Sequence, residues 1–251
     1  MAKILIPIPL FDFDPTEVSI PAIELINSGH EVVFSTPDGN MGKADQRVIT
    51  GEGFGWLKTL LCADSNGRNA YLKLIELNTF KKPIAYDQID PSDFDCIFLP
   101  GGHAPGMKQY LESKSLQKLI PDFFESNKIV AAVCHGVVLL ARSMVPNTEH
   151  SVLYGKTTTA LLKSQEMSAY HLTKHRLGNY YKTYPETTVE MEVKSQLKCP
   201  NDFKKGPLPL FRDSPKRLNR GFVNIDGNYL SARWPGDIHL LTEKLIKKLT
   251  K

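Results

Sequence analysis

The sequence predicts an α/β fold with a mostly parallel sheet, and three stretches carry that prediction. Near the N-terminus an apolar run (Ile4 to Pro9), a segment starting at Asp14 and reaching Asn27, and a second apolar run (Glu31 to Ser35) read as strand, helix and strand. Such a unit closes as a right-handed crossover between parallel strands. Asp95 to Leu99 (DCIFL) is another unbroken apolar run and leads straight into Pro100-Gly101-Gly102-His103. Lys128 to Arg142 (KIVAAVCHGVVLLAR) passes from a β-branched strand to a Leu-rich helix with only Cys134, His135 and Gly136 between them. Unbroken apolar strands are what a sheet covered on both faces requires.

Taken in order, Asp14-Pro15-Thr16-Glu17 carries a helix start: Asp as N-cap, Pro at the first position and Glu at the third. Gly29 closes that helix. Residues 37–92 break the rhythm with frequent glycine, and only Arg68 to Asn78 has convincing helical character. A stretch of this length inside a compact fold is usually functional, so it is expected to fold over the sheet edge or the site. After the strand Asp95 to Leu99 come a short helix near Met107 to Leu111 and a longer one from Ser115 to Ser126. Beyond Arg142, Thr157 to Ala160 reads as a strand, Leu161 to Leu177 and Pro185 to Leu197 as helices, and Cys199 to Arg220 as an extended surface loop. Gly221 to Ile225 and Tyr229 to Ala232 flank Asp226-Gly227-Asn228, a strong hairpin signal. Pro235 opens a final amphipathic helix. The organisation expected is one domain over 1–251, with insertions at about 37–92 and 178–220.

Composition narrows the function classes. The net charge of +4 is slight and the basic residues are mostly scattered, which argues against nucleic acid as a partner. No apolar run is long enough to span a bilayer, and MAKILIPIPLFDFD reads as a first strand rather than a signal peptide. Cys62, Cys96, Cys134 and Cys199 show no C-x-x-C pairing, so a reducing cytoplasm is the default compartment.

The chemistry-bearing stretch is the strand–turn–helix around Cys134. A junction at the carboxyl end of a buried strand is where open α/β sheets place their ligands. Ala132 and Gly136 allow a tight turn, the geometry of a nucleophile elbow with cysteine in place of serine. The helix N-terminus beyond Cys134 would favour thiolate, and its backbone N–H groups could hold an oxyanion. The competing reading is a packed core thiol. Glu17 has its own alternative, because a glutamate at the third helical position can complete a capping box. His171 and His175 stand four apart, a metal-ligand spacing, but without an acidic third ligand they read as a solvated helix face. His103, Trp234 and Tyr110 are candidate pocket walls.

With LPGGH, AAVCHG and an early-helix Glu17 in that order, the chain resembles the ThiJ/PfpI superfamily, a group of the class I glutamine amidotransferase-like fold. The adjacency of Cys134 and His135, and the inserted region after the second strand, resemble its heat-shock chaperone and glyoxalase branch. The resemblance implies a flavodoxin-like three-layer sandwich. It implies Cys134 as nucleophile, Glu17 as the acid that shares a proton with the thiol, and His135 as general acid/base. The Gly102 and His135 amides would form the oxyanion hole, with Gly101 and His103 beside it. Glu166 is the candidate that orients His135. The activity implied is a glutathione-independent glyoxalase or deglycase acting on small 2-oxoaldehydes, with no metal or organic cofactor, in a homodimer. Another cysteine hydrolase, peptidase or amidase, and a holdase-type chaperone remain as alternatives; the first needs an open groove at the thiol.

Overall fold

The computed structural model describes residues 1–250. Its strands are β1 (Lys3–Pro7), β2 (Phe11–Phe13), β3 (Glu31–Thr36), β4 (Lys43–Ala44), β5 (Ile84–Ala85), β6 (Cys96–Leu99), β7 (Ile129–Val133), β8 (Val223–Asp226) and β9 (Tyr229–Ala232). Seven of them form one sheet in the order β5-β3-β1-β6-β7-β9-β8. Every neighbouring pair is parallel except β8 with β9. Strands β2 and β4 make a separate small pair.

Successive residues of a strand point to opposite faces. Ile4, Leu5 and Ile6 in β1, and Ile97, Phe98 and Leu99 in β6, are all fully buried, so both faces of the sheet are covered. One helical group packs Pro15–Asn27 against Ser65–Leu74 and Ile238–Leu249; another packs Gly136–Ala141 against Lys114–Glu125 and Val189–Ser195. This is the α/β sandwich the apolar runs require. The chain passes from β1 to β3 on one side and returns to β6 on the other, so a topological switch lies between β1 and β6. Crevices at such points are where open sheets bind ligands.

Residues 37–92 contain more helix than their sequence suggests: Gln46–Thr50, Lys58–Leu61, Ser65–Leu74 and Asn78–Lys81. Most of these are shorter than an isolated helix can sustain and depend on tertiary packing. The segment also supplies the edge strand β5, which pairs with β3 through Ser35↔Ile84 and Thr36↔Ala85.

Two expectations after Arg142 need correction. Thr157 to Ala160 is no strand; only Thr158 bridges, to Phe203. The segment lies across the side chains of β9 instead, with Thr158 Oγ1 2.7 Å from the Tyr229 hydroxyl and the Thr159 N–H donating to Ser231 Oγ at 3.0 Å. The helix expected over Pro185 to Leu197 spans only Val189–Ser195, because Thr188 is extended and caps it through the Met191 N–H.

Candidate active site

The site is assembled from turns that follow β1, β6 and β7. At the first, Asp14 Oδ1 accepts the N–H groups of Thr16 (2.7 Å) and Glu17 (3.1 Å), which starts the helix Pro15–Asn27 and fixes Glu17 in its first turn. Glu17 does not close a capping box. The Asp14 N–H donates to the Gly101 carbonyl at 2.9 Å, and Glu17 Oε2 accepts the Gly101 N–H at 2.8 Å, so the helix start is stitched to the turn after β6. The other carboxyl oxygen, Oε1, is buried with no hydrogen-bond partner, and the Cys134 thiol lies beside the carboxyl. Burial, then the neighbouring Asp14 charge, push the Glu17 carboxyl well above the usual range. Burial therefore favours its protonated, donor form.

Cys134 occupies the elbow expected of it, at φ +58°. That is left-handed backbone, which a residue with a Cβ adopts only when its surroundings force it. Its N–H donates to the Ala232 carbonyl of β9 at 3.1 Å. The turn is tight enough that a Cβ on Gly136 would lie 2.1 Å from the Leu99 carbonyl oxygen, so only glycine fits there. The expected thiolate is a different matter. Burial, then the charges of Glu17 and Asp14, raise the thiol well above its ordinary value, and the His135 N–H offsets this only in part. The helix Gly136–Ala141 is too short to reverse that balance.

His135 is buried with Nδ1 3.4 Å from Cys134 Sγ and Nε2 3.1 Å from Thr183 Oγ1. The Thr183 hydroxyl donates its one proton to the His103 carbonyl at 2.6 Å, so toward His135 it can only accept. The imidazole is thereby assigned as the Nε2–H tautomer, with the Nδ1 lone pair turned to the sulfur. Burial pushes the His135 pKa down to about 3, and it is neutral at physiological pH.

The remaining expectations are met unevenly. Glu166 is buried near the site but is not the group at His135 Nε2; Thr183 is. Glu166 Oε2 accepts the Val189 N–H at 2.9 Å, and burial raises its pKa to about 7. Gly101 cannot offer its N–H to an oxyanion, because Glu17 holds it. Gly102, at φ +154°, lines the cavity, and a Cβ there would strike the Asp12 carbonyl. The His103 ring lines the cavity too, stacked on Tyr181 with centroids 4.2 Å apart; burial lowers its pKa to about 4. Trp234 is a wall of the cavity, whereas Tyr110 is fully buried elsewhere in the core. His171 and His175 are exposed on Lys163–Leu177.

Cys134 faces a cavity of about 350 Å³. Leu60 and Leu61 reach it from residues 37–92, and Tyr181, Leu210 and Arg212 from 178–220, so both interruptions of the sheet rhythm cover the thiol. A larger cavity, about 620 Å³, is lined by Arg47, Lys108 and Lys182 among others, but Cys134 is not in its walls. Thr183 and Arg212 are functional candidates that sequence reasoning missed: each sits in irregular chain with no periodicity or motif to mark it. Among the described residues no helix is long and apolar enough to cross a membrane.

A family model described as "ThiJ/PfpI family-like" matches residues 8–207. The glutathione-independent glyoxalase hsp3102 of Schizosaccharomyces pombe is 29% identical over 237 residues, covering 93% of this chain and 87% of its own. The deglycase PfpI of Pyrococcus furiosus is 26% identical over 238 residues, covering 95% and 94%. The crystal structure of glyoxalase III from Candida albicans superposes with a TM-score of 0.65 over 98% of this chain and 96% of its own, at 19% identity. At that identity the superposition establishes the fold.

Proposed function

Because this chain belongs to the ThiJ/PfpI-like family, we propose that it is a cysteine-dependent, glutathione-independent enzyme of the glyoxalase and deglycase type, acting on small 2-oxoaldehydes such as methylglyoxal. The observation that carries the proposal is the triangle of Cys134, protonated Glu17 and the bare Nδ1 of His135 at the wall of a small covered cavity. A cavity of about 350 Å³ suits a small metabolite.

In the proposed reaction His135 Nδ1 takes the thiol proton as Cys134 Sγ adds to the aldehyde carbon. The buried thiol thus becomes nucleophilic only as it reacts. The oxygen of the adduct is held by the Gly102 and His135 amides and protonated, giving a hemithioacetal. His135 then moves the proton from the former aldehyde carbon to the ketone carbon through an enediol, leaving a 2-hydroxy thioester. Water cleaves the thioester, releasing lactate and restoring the thiol, so the net change is addition of one water. Glu17 shares its proton with the sulfur whenever the sulfur carries charge. A glycated amine enters by the same addition of sulfur to carbonyl, with an amine as leaving group. The relative named deglycase PfpI keeps that variant in view.

The test is methylglyoxal consumption without glutathione by wild type, Cys134→Ala and Glu17→Gln. Lactate formation lost in Cys134→Ala supports the reading. No turnover by wild type, with Cys134 still open to alkylation, sinks it.

A further inference from the structure

The Cys134 cavity carries hydrogen-bonding capacity that the thiol chemistry does not use. Arg212 Nη2 donates to the carbonyl oxygens of Cys62 (3.0 Å) and Leu60 (3.5 Å), which fixes the guanidinium against one wall. Its Nη1 is buried and has no partner. The guanidinium carbon lies 5.5 Å from the centroid of the Trp234 ring, and the Trp234 Nε1–H is a second buried donor without a partner. Both side chains line the same cavity as Cys134.

Neither group can accept a hydrogen bond, so two adjacent orphaned donors, one of them charged, ask for an anionic acceptor. The carboxyls facing the cavity do not fill that role. Asp14 and Glu17 are within electrostatic reach of Arg212 but form no ion pair with it; Asp14 Oδ1 caps the helix and Glu17 Oε2 accepts from Gly101. Glu166 accepts from Val189.

We propose that Arg212 and Trp234 form a subsite for a carboxylate, and that the substrate is a 2-oxoaldehyde whose chain ends in one. A planar carboxylate matches a guanidinium and an indole N–H better than a compact dianion, which would also meet Asp14 in the same cavity. The identity of the reacting carbonyl rests on the proposed function; the anion subsite does not. In the reaction sulfur bonds to the aldehyde carbon, that carbon's hydrogen moves to the ketone carbon, and water cleaves the thioester. The product is a 2-hydroxy dicarboxylate, with no net oxidation or reduction.

Two measurements on the full chain separate the subsite from the reaction. In the first, Cys134 is alkylated with iodoacetate and with iodoacetamide, reagents that differ in charge, and modification is read at that residue by mass spectrometry. The ratio of iodoacetate to iodoacetamide rates should fall about tenfold in Arg212→Gln and stay near wild type in Arg212→Lys, which keeps the charge. An unchanged ratio in Arg212→Gln overturns the subsite. In the second, wild type is offered 4,5-dioxopentanoate and its methyl ester. The acid should be favoured about tenfold or more in kcat/KM, and Arg212→Gln should erase that preference. Equal kcat/KM values for acid and ester in wild type overturn the subsite even where methylglyoxal is consumed. A charge-dependent alkylation ratio in a protein that turns over no 2-oxoaldehyde leaves the subsite standing and removes the glyoxalase reading.

Discussion

Thr183 Oγ1 stands between His135 Nε2, at 3.1 Å, and the His103 carbonyl, at 2.6 Å, so a single hydroxyl sets the tautomer of the proposed base. Thr183→Val removes the acceptor and leaves the imidazole free to carry its proton on Nδ1, facing the sulfur. Methylglyoxal kcat should fall about tenfold, the scale of one buried hydrogen bond, with KM little changed. Thr183→Ser should restore it. Equal kcat in all three proteins would remove Thr183 from the argument.

Glu17→Gln should separate reactivity from catalysis. In its ionised form the carboxyl raises the Cys134 thiol and the amide never carries that charge, so in alkaline solution, where the wild-type carboxyl loses its proton, iodoacetamide should modify Cys134 faster than in wild type. Turnover should nevertheless fall by about a hundredfold or more, because the shared proton is lost. Slower alkylation in Glu17→Gln contradicts the electrostatics described for the pair.

Glu166 gives a stability prediction with a definite sign. Its folded pKa, about 7, lies above the ordinary carboxyl value of 4.5, so the folded state binds the proton more tightly than the unfolded state. That contribution is fully present below pH 4.5 and is lost as pH rises through 7. Glu166→Gln keeps an acceptor for the Val189 N–H without the charge. Urea denaturation should show it more stable than wild type by about 1–3 kcal/mol at pH 8, with little difference at pH 4. A difference that grows toward acid pH would reverse the assignment.

Arg233 and Asp237 form a fully buried ion pair, Nε to Oδ2 at 2.8 Å and Nη2 to Oδ1 at 2.8 Å. Arg233 Nη1 also donates to the carbonyls of Lys205 and Pro207, tying down the segment that carries Leu210 and Arg212 to the cavity. Arg233→Ala leaves a carboxylate buried and unpaired, and should cost about 3–5 kcal/mol of stability in urea denaturation. Arg233→Ala paired with Asp237→Ala should cost less than the first change alone, since no orphaned charge remains.

The parts of this protein that could be read in advance are those whose information is local. The apolar runs of β1, β3, β6 and β7 state their own burial, and Asp14-Pro15-Thr16-Glu17 writes a helix cap in four consecutive residues. The elbow is legible for the same reason: strand, cysteine, glycine and helix are contiguous. What could not be read is relational. Glu166 looks like any glutamate on a polar helix until Val189 is folded against it. Thr183 and Arg212 reach the site from irregular chain, and only their distances to His135 and Trp234 give them meaning. The chain over 199–220 is irregular, as the surface loop expected there would be, yet its charged residues do not all face water: Asp213 is buried and accepts the Leu240 N–H at 2.8 Å.

The left-handed backbone at Cys134 also sets the thiol against backbone ease at one position. Glycine is at ease in that conformation and cysteine is not, so Cys134→Gly relieves the backbone by about 1 kcal/mol while it removes the thiol. The same substitution is the natural first step for anyone who wants this fold as a thiol-free scaffold.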